Sequence, residues 1–297
     1  MLPQSFTPTF LRQLELFTMR ARRAYLGSRQ GGHLSQKRGH GIEFSDYRQY
    51  ELGDNPRWID WGVFARSDRL YVRRYQEEQN LSIMVLLDTS ASMTNPAIDK
   101  KWERARELAI ALSYVGLIGQ DTVMVAPLGY QSIPEYHGPR SIHSLGKNLL
   151  ELSLAKIQSK PARFSASVHQ AISRVRFPGI AVFISDFLIP TAEVRAAFNS
   201  MLAKNLEITA IQILGDSDLS PFAAGEEITA IDSETGEQIE LSASGDSIGR
   251  YEHLLKNHNQ EIQKFCASRG IRFSSTKARD DLSQVLLKSL TKTGLLS

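Results

Sequence analysis

Residues 81–92 read Leu-Ser-Ile-Met-Val-Leu-Leu-Asp-Thr-Ser-Ala-Ser. The apolar side chains of Leu81–Leu87 fall on both faces of an extended chain, the pattern of a parallel strand covered on both sides. The run stops at Asp88, and Asp88-Thr89-Ser90-Ala91-Ser92 then brings one carboxylate and two serine hydroxyls to the strand's end. In an open α/β sheet, ligands bind outside the carboxyl ends of the strands. The same twelve residues therefore indicate both the fold class and a candidate site.

Downstream of this stretch, strand and helix patterns alternate. Helices are expected at Trp102–Gly116, 141–155, Ser165–Val175, Val194–Met201, Tyr251–Phe265 and 281–292. Strands are expected at Thr122–Leu128, Ile180–Ile184, Leu206–Leu214 and Ile271–Ser275. Ile228–Asp232 and Gln238–Leu241 flank Glu234-Thr235-Gly236-Glu237, which reads as a hairpin insertion. Strands alternating with helices imply a doubly wound, mostly parallel sheet flanked by helices over residues 81–297. Upstream, helical spacing over 6–26 leads into a Gly-, Arg- and Trp-rich stretch. Extended segments are expected there at 56–64 and 69–75. Residues 1–80 thus read as an N-terminal helix and an arm packed on the main domain. Within the arm, Asp46, Arg48, Asp54, Arg57, Asp60 and Arg66 suit ion pairs. Trp58 and Trp61 suit a clamp or a partner contact, where Arg and Trp are frequent anchors.

Composition narrows the function classes. The chain has 297 residues, 42% hydrophobic and 23% charged, so wholesale disorder is excluded. Its one cysteine, Cys266, rules out an intramolecular disulfide and any zinc site of three or four cysteines. The longest apolar runs are about five residues, whereas a membrane-spanning helix needs roughly 20. With no basic-then-apolar leader at Met1–Ser5, the expected location is the cytoplasm. Residues 12–40 hold seven Lys or Arg against Glu15 alone. Nucleic-acid binding through this segment is an alternative, without a helix-turn-helix or an aromatic ladder to support it. The sequence has no Gly-x-x-x-x-Gly-Lys-Ser/Thr loop and no Gly-x-Gly-x-x-Gly after the first strand, which argues against nucleotide hydrolysis and dinucleotide binding.

The strand-end residues suit a hard cation. Mg²⁺ takes oxygen ligands and keeps several waters. Asp186, closing Phe183-Ile184-Ser185-Asp186, supplies a second carboxylate from another strand end. With few charged direct ligands, such a metal stays electrophilic and can accept an acidic side chain from a partner. A metal-dependent phosphatase or other hydrolase is a further alternative. Against it, an aspartyl-phosphate enzyme usually carries an acid two residues after its Asp, and Ser90 stands there.

The pattern resembles the metal-ion-dependent adhesion site of von Willebrand factor A-type domains. That site pairs Asp-x-Ser-x-Ser with a Thr on a second loop and an Asp on a third. Asp88, Ser90, Ser92 and Asp186 match; the Thr position falls on Arg163 or is replaced by Ser165. The resemblance implies Mg²⁺ or Mn²⁺ as the metal. The block Gly39-His40-Gly41-Ile42-Glu43-Phe44-Ser45-Asp46-Tyr47-Arg48-Gln49-Tyr50, followed by Gly53-Asp54, Arg57-Trp58-Ile59-Asp60-Trp61 and Ala65-Arg66, resembles the bacterial "domain of unknown function 58" family. That likeness runs from about residue 20 to the last helix. It implies a non-catalytic adaptor or chaperone-type partner of a MoxR-type AAA+ ATPase, acting on an unknown client protein.

Overall fold

The computed structural model describes residues 2–19, 42–77, 81–130, 134–152, 164–173, 179–221, 227–231, 238–242 and 245–297. The chain divides into two compact units, Met1–Arg22 with Leu81–Ser297, and Arg23–Asn80.

In the larger unit, a short helix α1 (Pro8–Leu14) is capped by Thr7, whose hydroxyl accepts from the Phe10 N–H. The helical spacing continues to 26, but the helix stops here. Beyond Glu15 the chain turns extended, and Met19 forms a bridge with Leu296 while Thr18 and Ser297 exchange backbone hydrogen bonds. Pairing with the C-terminal residues thus outweighs local helix propensity, and residues 20–26 lie outside the described residues.

The main sheet contains β3 (Ser82–Leu87), β4 (Thr122–Pro127), β5 (Glu135–His137), β6 (Gly179–Ser185), β7 (Glu207–Leu214) and β10 (Arg272–Lys277), in the order β10-β7-β6-β3-β4-β5. Every neighbouring pair is parallel except β4 with the short β5. The intervening helices are α3 (Lys101–Ile118), α4 (Ile142–Leu150), α5 (Phe164–Ile172), α6 (Thr191–Ala203), the one-turn α7 (Asp216–Leu219) and α8 (Gly245–Ser268). A last helical segment runs from Leu282 to Thr293. The expected hairpin is present as β8 (Glu227–Ile231) paired antiparallel with β9 (Gln238–Ser242).

The strands alternate as a two-sided sheet requires. Ile83, Val85 and Leu87 join a core with α1, α3, α4 and the C-terminal segment. Met84 and Leu86 join a separate core with α5, α6 and α8. This is the doubly wound architecture expected from the alternating elements. From β3 the chain runs to β4 on one side, then returns to β6 on the other. The switch in direction therefore falls between β3 and β6, the position outside whose carboxyl ends open α/β sheets bind ligands.

The smaller unit pairs β1 (Ile42–Gln49) antiparallel with β2 (Tyr71–Glu77), with a register break between Phe44 and Asp46. Residues 56–64 are not the extended segment that the sequence suggested. Asn55 and Asp60 act as N-caps and start a 3-10 turn (Pro56–Trp58) and helix α2 (Trp61–Ser67). Among the described residues, no helix is long and apolar enough to cross a membrane.

Asp121 ties α3 to β3, accepting from the Leu81 N–H at 2.9 Å. Burial pushes its carboxyl up to about 6, partly offset by that hydrogen bond. The folded state therefore holds this proton more tightly than the unfolded chain. The contribution of Asp121 to stability is fully present below the ordinary carboxyl value and is lost as pH rises to about 6. Asp121→Asn keeps an acceptor for Leu81 and removes the ionisation. Its melting temperature relative to wild type should rise between pH 4 and pH 7; a difference independent of pH would contradict the assignment.

Candidate functional site at the carboxyl edge

Strands β3 and β6 pair with Leu87 opposite Ile184, and the Asp88 N–H donates to the Ile184 carbonyl at 3.0 Å. This register places Asp88 against Ser185 and Asp186. Asp88 is buried and receives neutral donors: Ser185 Oγ donates to Oδ2, and the Ser90 N–H donates to Oδ1 at 2.9 Å. Burial first, then the neighbouring Asp186, pushes the Asp88 carboxyl up to about 6, against the lowering effect of Ser185 and Ser90. In front of it, the half-buried hydroxyls of Ser90 and Ser92 lie 3.0 Å apart. Thr89 donates to the Leu128 carbonyl at 2.8 Å, fastening the loop to the end of β4.

Asp186 is fully buried, and its carboxylate has a cationic partner that the sequence reading did not anticipate. Lys101 Nζ lies 2.9 Å from Asp186 Oδ2 and 2.8 Å from Asp218 Oδ2, with the lysine side chain 1% exposed. Burial pulls the Lys101 ammonium down, and Asp186 and Asp218 more than compensate, so its pKa lies above that of an ordinary lysine. The other Asp186 oxygen accepts from the Leu188 N–H at 3.1 Å. Asp218 accepts from the Gly215 N–H at 2.7 Å.

A second layer holds this edge. The Asp186 carbonyl accepts from Gln212 Nε2 at 3.0 Å, and the same amide nitrogen donates to Asn259 Oδ1 at 2.8 Å. Phe187 adopts the left-handed region at φ 53°, uncommon for a bulky residue. It is held there by its N–H on Ser185 Oγ at 2.8 Å and by His258 Nε2, which donates to its carbonyl at 2.7 Å. Tyr251 on α8 donates to the Asp218 carbonyl.

Of the metal set expected from the sequence, the structure gathers Asp88, Ser90 and Ser92. Asp186 is adjacent, but its carboxylate faces Lys101. Ser165 stands in the first turn of α5, where its N–H donates to Glu193 Oε2 at 3.1 Å, and Arg163 lies outside the described residues. A carboxylate with two hydroxyls suits a hard cation. Among the described residues, no group of three or more His, Cys, Asp or Glu side chains could hold a metal.

In the smaller unit, Asp60 caps α2 by accepting from the Gly62 and Val63 N–H groups, and it also accepts from Tyr47 Oη at 3.0 Å. Arg48 pairs with Asp54 and Glu51. Arg57 is exposed, and Arg66 donates from Nε to its own helix at Gly62. Trp58 and Trp61 are 50% and 61% exposed. The Asp46 side chain lies outside the described residues, as does the basic stretch Arg20–Arg38.

Lys101, Asp218, Ser185 and Gln212 are the site residues that the sequence reading missed. Asp218 lies in the one-turn helix α7 just beyond the β7 end, a weaker positional signal than Asp88 and Asp186, which follow their strands directly. Lys101 had only a weaker one, a lysine at the first turn of a helix, where the macrodipole disfavours a cation.

A family model described as "Protein of unknown function DUF58" matches residues 46–261. Uncharacterized proteins of Mycobacterium bovis and of two Mycobacterium tuberculosis strains are 28% identical over 224 residues, spanning 73% of this chain and 68% of each relative. Similar solved structures include the conserved hypothetical protein BatB from Bacteroides thetaiotaomicron, at 14% identity and TM-score 0.45, covering 72% of this chain and 99% of that one. Another is the VWA domain of SpRpn10, at 15% identity and TM-score 0.39, covering 70% and 94%. The strand order and the Asp88 loop themselves carry the assignment of a von Willebrand factor A-like fold.

Ser185→Ala removes the donor to Asp88 and leaves the buried Phe187 N–H without its acceptor. A buried group left unsatisfied costs about 1–3 kcal/mol. Denaturant melts at pH 7 should show a loss of that size; a loss under 0.5 kcal/mol would mean that the loop relaxes around the missing hydroxyl.

Proposed function

The chain belongs to the DUF58 family, and on that premise we propose that it is a non-catalytic protein–protein interaction module. Its docking edge is the carboxyl end of the sheet around Asp88. The observation that carries this reading is the pair of serine hydroxyls, Ser90 and Ser92, set 3.0 Å apart in front of a buried carboxylate held by neutral donors. A hydrolytic serine is activated by an adjacent base. Here the two serine hydroxyls lie against each other and Ser90 also bonds the Asp88 carboxylate, while His258, the histidine held at this edge, donates to the Phe187 carbonyl and so supplies neither serine with a base. The pair offers oxygens to a ligand instead.

Asp88, Ser90 and Ser92 would hold Mg²⁺ or Mn²⁺. Such an ion supplies a positive centre that an acidic side chain of a partner can ligate. The family resemblance favours a MoxR-type AAA+ ATPase as that partner, with this chain as its adaptor or chaperone-type companion toward a client protein. The single cysteine is buried, and burial pushes its thiol up to about 12. An inert thiol of this kind suits the cytoplasm. The exposed Trp58 and Trp61, with Arg57 and Arg66, form a second candidate contact surface in the smaller unit.

Immobilised wild-type chain should retain a MoxR-type ATPase in Mg²⁺ and release it in EDTA. Ser90→Ala combined with Ser92→Ala should weaken that binding tenfold or more, about 1.4 kcal/mol, with the circular dichroism spectrum unchanged. Equal retention by wild type and the double variant would remove this edge from the interface.

A further inference from the structure

We infer that Lys101 is the resident counter-ion of Asp186 and Asp218, and that a divalent cation at this edge rests on Asp88, Ser90 and Ser92 with Asp186 withheld from it. The inference rests on the reading of the Asp88 loop as a cation-assisted docking edge. It divides the acids of that edge into two sets with different jobs.

Both Asp186 oxygens are committed. Oδ2 accepts from Lys101 Nζ at 2.9 Å, and Oδ1 accepts from the Leu188 N–H. The ammonium also lies within 3.0 Å of both Asp218 oxygens. Lys101 is 1% exposed and stands in the first turn of α3, with Lys100 before it giving no side-chain cap. Burial and the helix macrodipole both oppose a cation there. Two carboxylates from the ends of β6 and β7 outweigh that opposition, and the geometry leaves the ammonium fixed between them. A divalent ion moving onto Asp186 would meet this fixed positive charge at close range in a poorly screened setting.

Asp88 is different in kind. Its donors are the Ser185 hydroxyl and the Ser90 N–H and hydroxyl, all neutral. Its charge therefore has no cationic partner among these contacts, while the two hydroxyls beside it stand at the half-buried rim. Asp186 and Asp218 share the one ammonium and Asp88 faces neutral donors, so the edge carries excess negative charge and Asp88 is the acid with no cation against it among these contacts. A hard cation is drawn to that corner, with hydroxyl oxygens as its further ligands. Lys101 thus acts as a positioning residue: it turns Asp186 away from the cation and keeps the direct ligand set short of charge.

The test is Mn²⁺ titration calorimetry on the full chain, with thermal melts in parallel. Wild type should take up one Mn²⁺, and Asp88→Asn should abolish uptake. Asp186→Asn should keep the affinity within threefold, since that carboxylate is not a ligand. Lys101→Met frees two carboxylates and removes the repelling charge, so it should bind Mn²⁺ at least tenfold more tightly. Its melting temperature should fall without metal and recover with it. Loss of uptake in Asp186→Asn as complete as in Asp88→Asn would overturn the inference, and so would an unchanged affinity in Lys101→Met. If wild type takes up no Mn²⁺, the cation part of the functional reading fails. A site gained in Lys101→Met would then still support the role given to Lys101, and no site in either would overturn it. Should Lys101→Met not fold, Lys101→Met with Asp218→Asn, which leaves one fewer unpaired acid, takes its place with the same expectation.

Discussion

The parallel pairing of β3 with β6 governs the rest of the carboxyl edge. Leu87 sits opposite Ile184, so the residues that follow them leave the sheet side by side. Neighbouring strands lie about 4.8 Å apart. Two acids released from adjacent strand ends are therefore forced into proximity inside a buried setting, where their repulsion is weakly screened. The sequence could not avoid this once both strands ended in acid; it could only compensate. Ser185 and the Ser90 N–H stabilise the Asp88 charge, and Lys101 neutralises Asp186. The raised Asp88 carboxyl, at about 6, is what remains after compensation, with burial as its largest cause.

Compensation requires that Asp186 point one way only, and the backbone after it is built to that end. Phe187 at φ 53° turns the chain sharply, and a non-glycine residue in this region carries strain of order 1–3 kcal/mol. The surroundings over-determine it. Its ring is packed against Phe183 and Phe198 at 5.4 and 5.7 Å between centroids, and both of its backbone polar groups are satisfied. Gln212 from β7 and Asn259 from α8 fix the preceding carbonyl. The edge is thus a rigid platform on two strands and one long helix rather than a free loop.

The sheet domain was legible because its signals are local. Each central strand is a short apolar run whose alternate residues divide cleanly between two cores, and each run ends in Asp, Gly or Ser. Asp88, Ser90 and Ser92 could be grouped because they share one loop, and Asp186 because it ends the next apolar run in space. Lys101 could not. Its partners lie 85 and 117 residues away, and the doublet Lys100-Lys101 looks like a solvated helix start. The smaller unit was harder still. The strand Ile42–Gln49 is interrupted by charge and a register break, and Asp60 is a helix cap that also receives Tyr47. Capping is invisible until the helix that it starts is known.

The Lys101 triad also bears on why such an arrangement is kept. Replacing a whole buried ion cluster with apolar side chains is often neutral or stabilising, while removing one member is strongly destabilising. Net stability therefore gives no reason for three charged groups at the ends of β6, β7 and α3. What the ions supply is direction. An apolar core would leave the β6 end free to settle in several ways, whereas an ammonium shared by Asp186 and Asp218 admits one. With Asp186 held there, Asp88 is left with neutral donors, Ser185 and Ser90, at the start of the loop that also carries Ser92. Asp186 and Asp218 share one ammonium, whereas the buried Asp88 carboxylate is met by neutral donors.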